Sequence, residues 1–316
     1  MAKYQTYQTI GIREDLADII YSISPTETPF MSGVANTKAT NTLHQWQTDA
    51  LADVAANAAV EGADISYGTM APTVLENNHT QISTKGIQVT ATNEAVTSAG
   101  RNNEMAYQVA KAAKELKRDM ETALLSNVAK TAGNATTARK LGGCPTWYET
   151  NVDAGSGGSG AGNGAIRTDG TQRAFTEDQL KGILVSCYNE GGNPNMIMVN
   201  AFNKQKLSGF TGGSTRFDAA EDRRLITSID VYESDFGTMQ VSPNRFIRGA
   251  NSTAAKIGQD AHILDMEYWA VSFLRDFALQ TPAQTADADQ RFMVAEYTLE
   301  SRNEKASGLI TDLTTS

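Results

Sequence analysis

Cysteine and histidine are almost missing from this chain. Two cysteines, Cys144 and Cys187, occur in 316 residues, which excludes a disulfide framework and fits free thiols in a reducing compartment. The three histidines, His44, His79 and His262, stand far apart, and none forms a ligand-spaced pair such as HExxH, so no metal centre is expected. No run approaches the roughly eighteen apolar residues of a membrane span. The opening MAKYQTYQTIGIRED lacks the basic and then apolar order of a secretory signal. Phosphate loops of the GKS or GKT kind and GxSxG elbows are absent. Gly155, Gly157 and Gly160 match GxGxxG, but they follow Thr150-Asn-Val-Asp-Ala154 rather than a hydrophobic strand, so Gly155–Gly164 reads as a flexible linker. The carboxylate pairs Glu221/Asp222 and Asp287/Asp289 read as solvated turns rather than cation sites. No cofactor is expected, and nothing spells out a reaction.

Charge is also thin. Charged residues make up 20% and sum to −9, the wrong sign for a dedicated nucleic-acid binder, whose affinity comes from Lys and Arg on phosphates. Thr, Ser, Asn, Gln, Ala and Gly fill the deficit, a composition suited to surfaces that other subunits will cover, because buried Lys and Glu are costly to desolvate.

Periodicity gives the organisation. Ile12, Leu16, Ile19, Ile20 and Ile23 fall at helical spacing and stop at Ser24-Pro25. Pro25 and Pro29 hold Ser24–Phe30 extended, which places Phe30 at a fixed point, either in the chain's own core or against a neighbour. His44, Trp46 and Thr48 alternate with polar residues, as do Ile87, Val89 and Ala91, and we read these as the two strands of a long hairpin joined by Leu51–Asn78. A ribbon so poor in apolar residues is marginal alone and needs a partner surface. Asn102 or Asn103 caps a helix with Met105, Val109, Ala112, Leu116, Met120, Ala123 or Leu124, and Val128 on one stripe, closed at Gly133. At 1.5 Å per residue, Asn103–Lys130 gives a rod of roughly 42 Å. Lys111, Lys114, Glu115, Lys117, Arg118 and Glu121 occupy its other face. Downstream, a helix capped by Thr176, the strand Met196–Val199 and a helix from Ala201 make a compact α/β lobe. Strand-like pieces follow at Ile229–Tyr232, Met239–Ser242, Arg245–Arg248, Tyr268–Phe273 and Arg291–Ser301.

The order Ser24-Pro-Thr-Glu-Thr-Pro-Phe30, His44-Gln-Trp-Gln-Thr-Asp49 and Tyr297-Thr-Leu-Glu-Ser-Arg-Asn-Glu-Lys-Ala-Ser-Gly308 resembles major capsid proteins of tailed bacteriophages with the Hong Kong 97 fold. The resemblance covers nearly the whole chain, through packing signatures rather than a chemical site. It implies an α+β subunit made of an N-terminal arm (residues 1–40), an extended loop (41–97), a peripheral domain with the spine helix and Gly-rich insertion (98–175), an axial domain (176–260) and C-terminal strands completing the peripheral domain (261–316). It implies a structural, non-enzymatic role: self-assembly into pentamers and hexamers of an icosahedral head that encloses double-stranded DNA without sequence specificity. An acidic wall suits such a container because it does not grip its contents. Candidate interface residues are Pro25, Pro29, Phe30, Trp46, Ile65, Tyr67, Ile87 and Val89, and candidate inner-face basic residues are Lys111, Lys114 and Arg118. Portal, scaffolding and decoration proteins are the implied partners, with no membrane, and assembly in the bacterial cytoplasm is the implied location. Some members cross-link Lys to Asn, but nothing singles out Lys85 for this. An encapsulin-like compartment shares the fold and is the first alternative, and a small soluble hydrolase is the second.

Overall fold

The computed structural model describes residues 26–52, 54–62, 64–65, 67–96, 103–210, 230–247, 258–284 and 286–315. The helix expected over Ile12–Ile23, and Pro25 with it, lie outside these residues, as do Glu221 and Asp222.

The first sheet is built on its two longest strands. Trp269–Gln280 (β10) and Ala288–Ser301 (β11) pair antiparallel, Ala35–Lys38 (β1) adds in parallel to β10, and Gln81–Thr90 (β4) adds antiparallel to β11. Trp269, Val271, Tyr297 and Leu299 are buried where the ladder is densest. Across β4 and β11 lies the helix Glu104–Leu124 (α3). The Asn103 side chain caps it by accepting from the Ala106 N–H at 2.6 Å, and Met105, Ala112, Leu116, Met120, Ala123 and Leu124 form the buried stripe that the spacing predicts. The helix is shorter than expected, 21 residues or about 31 Å. It stops because its next polar residues turn to other partners. Ser126 Oγ donates back to Thr122 O at 2.5 Å, and Asn127 exchanges two bonds with the Arg167 backbone at 2.9 and 3.0 Å. Gly133 does not close the helix. With φ +68° it serves the turn between Thr131 and Lys140, which form an isolated antiparallel bridge.

The second sheet has the order β5-β12-β9-β6-β8-β7: Val152–Asp153 (β5), Met196–Val199 (β6), Val231–Ser234 (β7), Gly237–Pro243 (β8), Ala261–Leu264 (β9) and Gly308–Ile310 (β12). The helix Glu177–Asn189 (α4) starts with a complete Thr176/Gln179 capping box and buries Leu180, Ile183, Leu184 and Cys187. The helix Ala201–Ser208 (α5) packs near β8. Two hydrophobic clusters result, one around Phe30, Leu116, Trp269 and Tyr297, the other around Leu180, Ile197, Val241, Ile263 and Ile310.

Three expectations need correction. The strand Leu43–Thr48 (β2) pairs with Val74–His79 (β3), while β4, carrying Ile87 and Val89, belongs to the first sheet. Alternation identifies a strand but not its partner, and Val-Leu-Glu-Asn-Asn-His has no alternation to notice. The C-terminal strands do not all complete one domain, since β10 and β11 join the first sheet while β9 and β12 join the lobe's sheet. No strand is assigned at 245–247, where buried Asn244 turns the chain by accepting from the Phe246 N–H.

The Gly-rich stretch is also no flexible linker. Ser159 bridges Thr168, and the Gly155 N–H donates to Asp312 Oδ2 at 3.1 Å. A Cβ on Gly155 would come within 2.0 Å of Thr171 O, so glycine is required there by close backbone approach. Arg167, fully buried in the same stretch, reaches Asp169 (2.8 Å), Asp260 (3.3 Å) and Asp312 (3.5 Å), which ties insertion, lobe and C-terminal segment together.

Gly155→Ala should therefore lower unfolding stability by about 2 kcal/mol or more in urea titration. Gly86→Ala, in a strand with nothing within 4 Å of the added Cβ, should change it by less than about 0.5 kcal/mol.

Candidate functional site

From Asp49 to Thr73 the chain leaves the body with no secondary structure, and every described residue is exposed. The exposed residues include Leu51 (98%), Ile65 (77%), Tyr67 (92%) and Met70 (92%), with Val54 and Val60 between them. Single exposed apolar residues are ordinary, but six in one segment are not. Covering each would contribute about 1.5–3 kcal/mol, and the chain itself supplies no cover.

The root of this loop is the opposite case, because it is fastened at several points. Asn78 is fully buried. Its Nδ2 donates to Leu299 O (2.8 Å) and Gly142 O (3.2 Å), and its Oδ1 accepts from the Gly142 N–H (2.9 Å), so one side chain satisfies three backbone groups of the body. Thr80 Oγ1 donates to Glu296 Oε1 at 2.9 Å, and Arg139 Nε donates to Thr80 O at 2.7 Å while its guanidinium pairs with Glu296. Glu296 also holds Arg275 at 2.8 Å. On the other strand, His44 Nε2 lies 3.1 Å from Glu300 Oε2. The bond from His44, with lesser help from Arg302 and Ser272, holds the Glu300 carboxyl down at about 2 despite its burial. Trp46 packs on Trp147 with ring centroids 5.3 Å apart, and Lys130 Nζ sits 5.4 Å over Trp147 while donating to Asn77 O at 2.9 Å. Desolvation pushes the Lys130 amine down and the Glu76 carboxyl up. A rigid root thus carries a bare tip.

The residues singled out from the sequence divide accordingly. Ile65 and Tyr67 are at the exposed tip, and Trp46 is at the root. Phe30, at 0%, lies in the core against Trp269, and Val89, at 6%, is buried in the chain's own fold. Neither can offer area to a neighbour, which corrects their assignment as interface residues. Ile87 is half-buried on β4. Pro29 opens the short helix Pro29–Gly33 (α1), and Pro25 lies outside the described residues. Lys111 and Lys114 are exposed, but Lys111 is 3.9 Å from Glu115, and Arg118 lies 5.8 Å over Phe246. Their face is mixed in charge rather than basic. Lys85 is committed to Asp119 at 2.8 Å. The sequence reading missed Asn78, Thr80, Arg139 and Glu296, whose work depends on tertiary contacts that no local spacing encodes.

Among the described residues no group of three His, Cys, Asp or Glu could hold a metal ion, and no helix is long and apolar enough to cross a membrane. Cys144 and Cys187 are buried; desolvation pushes the Cys187 thiol up to about 12 and the Cys144 thiol further, so neither is a thiolate nucleophile at neutral pH.

Comparison with known proteins agrees with this geometry. The sequence matches the family described as SU10 major capsid protein over residues 2–314. It is 41% identical over 129 residues to the major capsid protein of Escherichia phage Phieco32, a match covering 40% of this chain and 37% of that one. Structures of similar fold include the cyanophage A-1(L) capsid asymmetric unit (TM-score 0.65, 12% identity, 96% of this chain and 98% of that one). Gordonia phage Cozz gives TM-score 0.63 at 10% identity, with 97% and 92% covered, and the capsid of a native GTA particle computed with C5 symmetry gives 0.63 at 11%, with 98% and 97% covered.

Two outcomes follow for the root. Asn78→Ala should cost about 3 kcal/mol, since it strands three backbone groups, and amide exchange should quicken in β2 and β3. Because the Glu300 carboxyl is held below its ordinary 4.5 at about 2, its contribution is complete above pH 4.5 and fades as pH falls toward 2. Glu300→Gln should remove that part of the acid sensitivity in a pH series of thermal melts.

Proposed function

Because the chain belongs to the SU10 major capsid protein family, with the Hong Kong 97-like fold of phage capsid subunits, we propose that it assembles as pentamers and hexamers into an icosahedral head enclosing double-stranded DNA. The observation that carries this reading is the loop 49–73, fully exposed, apolar and mounted on a rigid root. A monomer has no use for such a segment. A subunit whose loop lies across the next copy covers those side chains, and because the contact is heterologous it propagates around a ring.

In this reading the arm runs to about residue 40 and the extended loop is the β2–β3 ribbon with its tip. The peripheral part is α3 with the first sheet, and the axial part is the lobe between 176 and 260 with the C-terminal strands that enter its sheet. DNA contact is non-specific and weak, through scattered groups such as Lys111, Lys114 and Arg118, since the net charge is −9 and screening leaves little attraction beyond about a Debye length. Portal, scaffolding and decoration proteins are its further partners, and assembly takes place in the host cytoplasm before the subunit becomes part of the virion.

The test is a deletion confined to 51–71 and bridged by a short Gly-Ser link, which spares β3 and Asn78. A wider cut to Asn78 would also take the anchor. The expected product has native-like circular dichroism, sediments as monomers or small rings, and gives no closed particles in negative stain, whereas the parent chain forms shells. Normal shells from the deletion would refute the role given to the loop.

A further inference from the structure

Glu121 has no part in the root or the loop, yet it is one of the most deeply buried charged residues of the described chain, at 0% exposure. It projects from the last turns of α3 and meets three donors. The Phe30 N–H reaches Oε1 at 2.8 Å, the Met31 N–H reaches Oε2 at 2.9 Å, and Asn244 Nδ2 reaches Oε1 at 2.7 Å. Phe30 and Met31 follow Pro29 in the first turn of the short helix α1, whose own cap residue, Thr28, makes no side-chain capping bond. A carboxylate from a residue 91 positions away thus does what a local cap does elsewhere. Asn244 follows β8 of the lobe, and its Oδ1 is engaged by the Phe246 N–H at 2.7 Å, which keeps its amide aimed at Glu121.

We propose that Glu121 is the residue that positions residues 29–33: it clamps them to α3 and to the lobe at once, so this segment leaves the body only when the carboxylate is released to water. The clamp is built from neutral donors. α1 presents backbone amides, the segment after β8 presents Asn244, and Arg118, one turn before Glu121 on α3, lies over the Phe246 ring. Among the described residues no ion pair reaches Glu121. A buried carboxylate held by dipoles alone keeps its hydrogen bonds only while all three donors stay in place, and losing the α1 amides leaves it with Asn244. Phe30 is the plug under the clamp, edge-on to Trp269 at 6.3 Å.

The sign of the pH dependence follows from burial. Desolvation, opposed by the three hydrogen bonds, leaves the Glu121 carboxyl above its ordinary 4.5. The closed clamp therefore binds a proton more tightly than an open, hydrated carboxyl would, and raising the pH through the range above 4.5 shifts the balance toward release. A merely structural side chain would impose no such profile.

The experiment is amide exchange by mass spectrometry on the full chain, kept dissociated, between about pH 5 and 8 and corrected for intrinsic rates. It reads peptides covering 29–34 against peptides covering 196–199 and 308–313. In the parent chain, protection at 29–34 should fall as the pH rises while the two reference peptides hold. Glu121→Gln should flatten that profile, and Asn244→Ala, which removes one donor and leaves the carboxylate, should quicken exchange at 29–34 about tenfold throughout. The same slope in Glu121→Gln as in the parent overturns the proposal. If Glu121→Gln does not fold, Asn244→Ala decides alone, and unchanged protection at 29–34 in that variant also overturns it. Shell formation is not read, so the outcome is independent of the assembly role.

Discussion

The antiparallel ladder of β10 and β11 is the beam on which the molecule is hung. Its strands run 12 and 14 residues, long for a globular sheet, and β11 presents different work on successive residues. Tyr297 and Leu299 face the core, while Glu296, Thr298 and Glu300 reach the projecting ribbon through Arg139 and Thr80, the His79 carbonyl, and His44. Without this strand, β4 would lose its ladder among the described residues, and the ribbon most of its fastenings. Glu296 and Glu300 are largely buried, yet each is bonded on more than one side, the condition under which a buried charge supports a structure instead of weakening it.

The scarcity of charge takes on meaning against this frame. The few buried charged groups are concentrated at seams: Arg167 with its aspartates between insertion and lobe, Glu296 and Glu300 between sheet and ribbon, Glu121 between α3, α1 and the lobe. Elsewhere small polar residues fill the surfaces. Such surfaces can be covered by another protein at little desolvation cost, which fits a chain that spends its working life covered.

Elements with strong local patterns were legible in the sequence. The α3 stripe from Met105 to Leu124, the helix capped by Thr176 and the buried run Met196–Val199 all stand where the spacing put them, because each writes its geometry within a few residues. What escaped depends on partners distant in the chain. β3 is a strand because β2 and Asn78's contacts make it one. The Gly-rich stretch is ordered because Thr171 and Asp312 lie against it. Helix α3 stops early because Asn127 finds Arg167. The candidate site divided along the same line. Exposure at Ile65 and Tyr67 follows from a lean segment, whereas the burial of Phe30 and Val89 required knowledge of what packs above them.

Strand β12 lies between β5 and β9, and its neighbourhood joins residues far apart in sequence: Gly155 meets Asp312 across 157 positions. At ordinary synthesis rates roughly ten to thirty seconds separate the appearance of the two on the ribosome. Until then β9 lacks one of its neighbours, and Ile183 and Cys187 lack the Gly308 backbone that lies against them. The second sheet is therefore complete only once translation has passed its last strand.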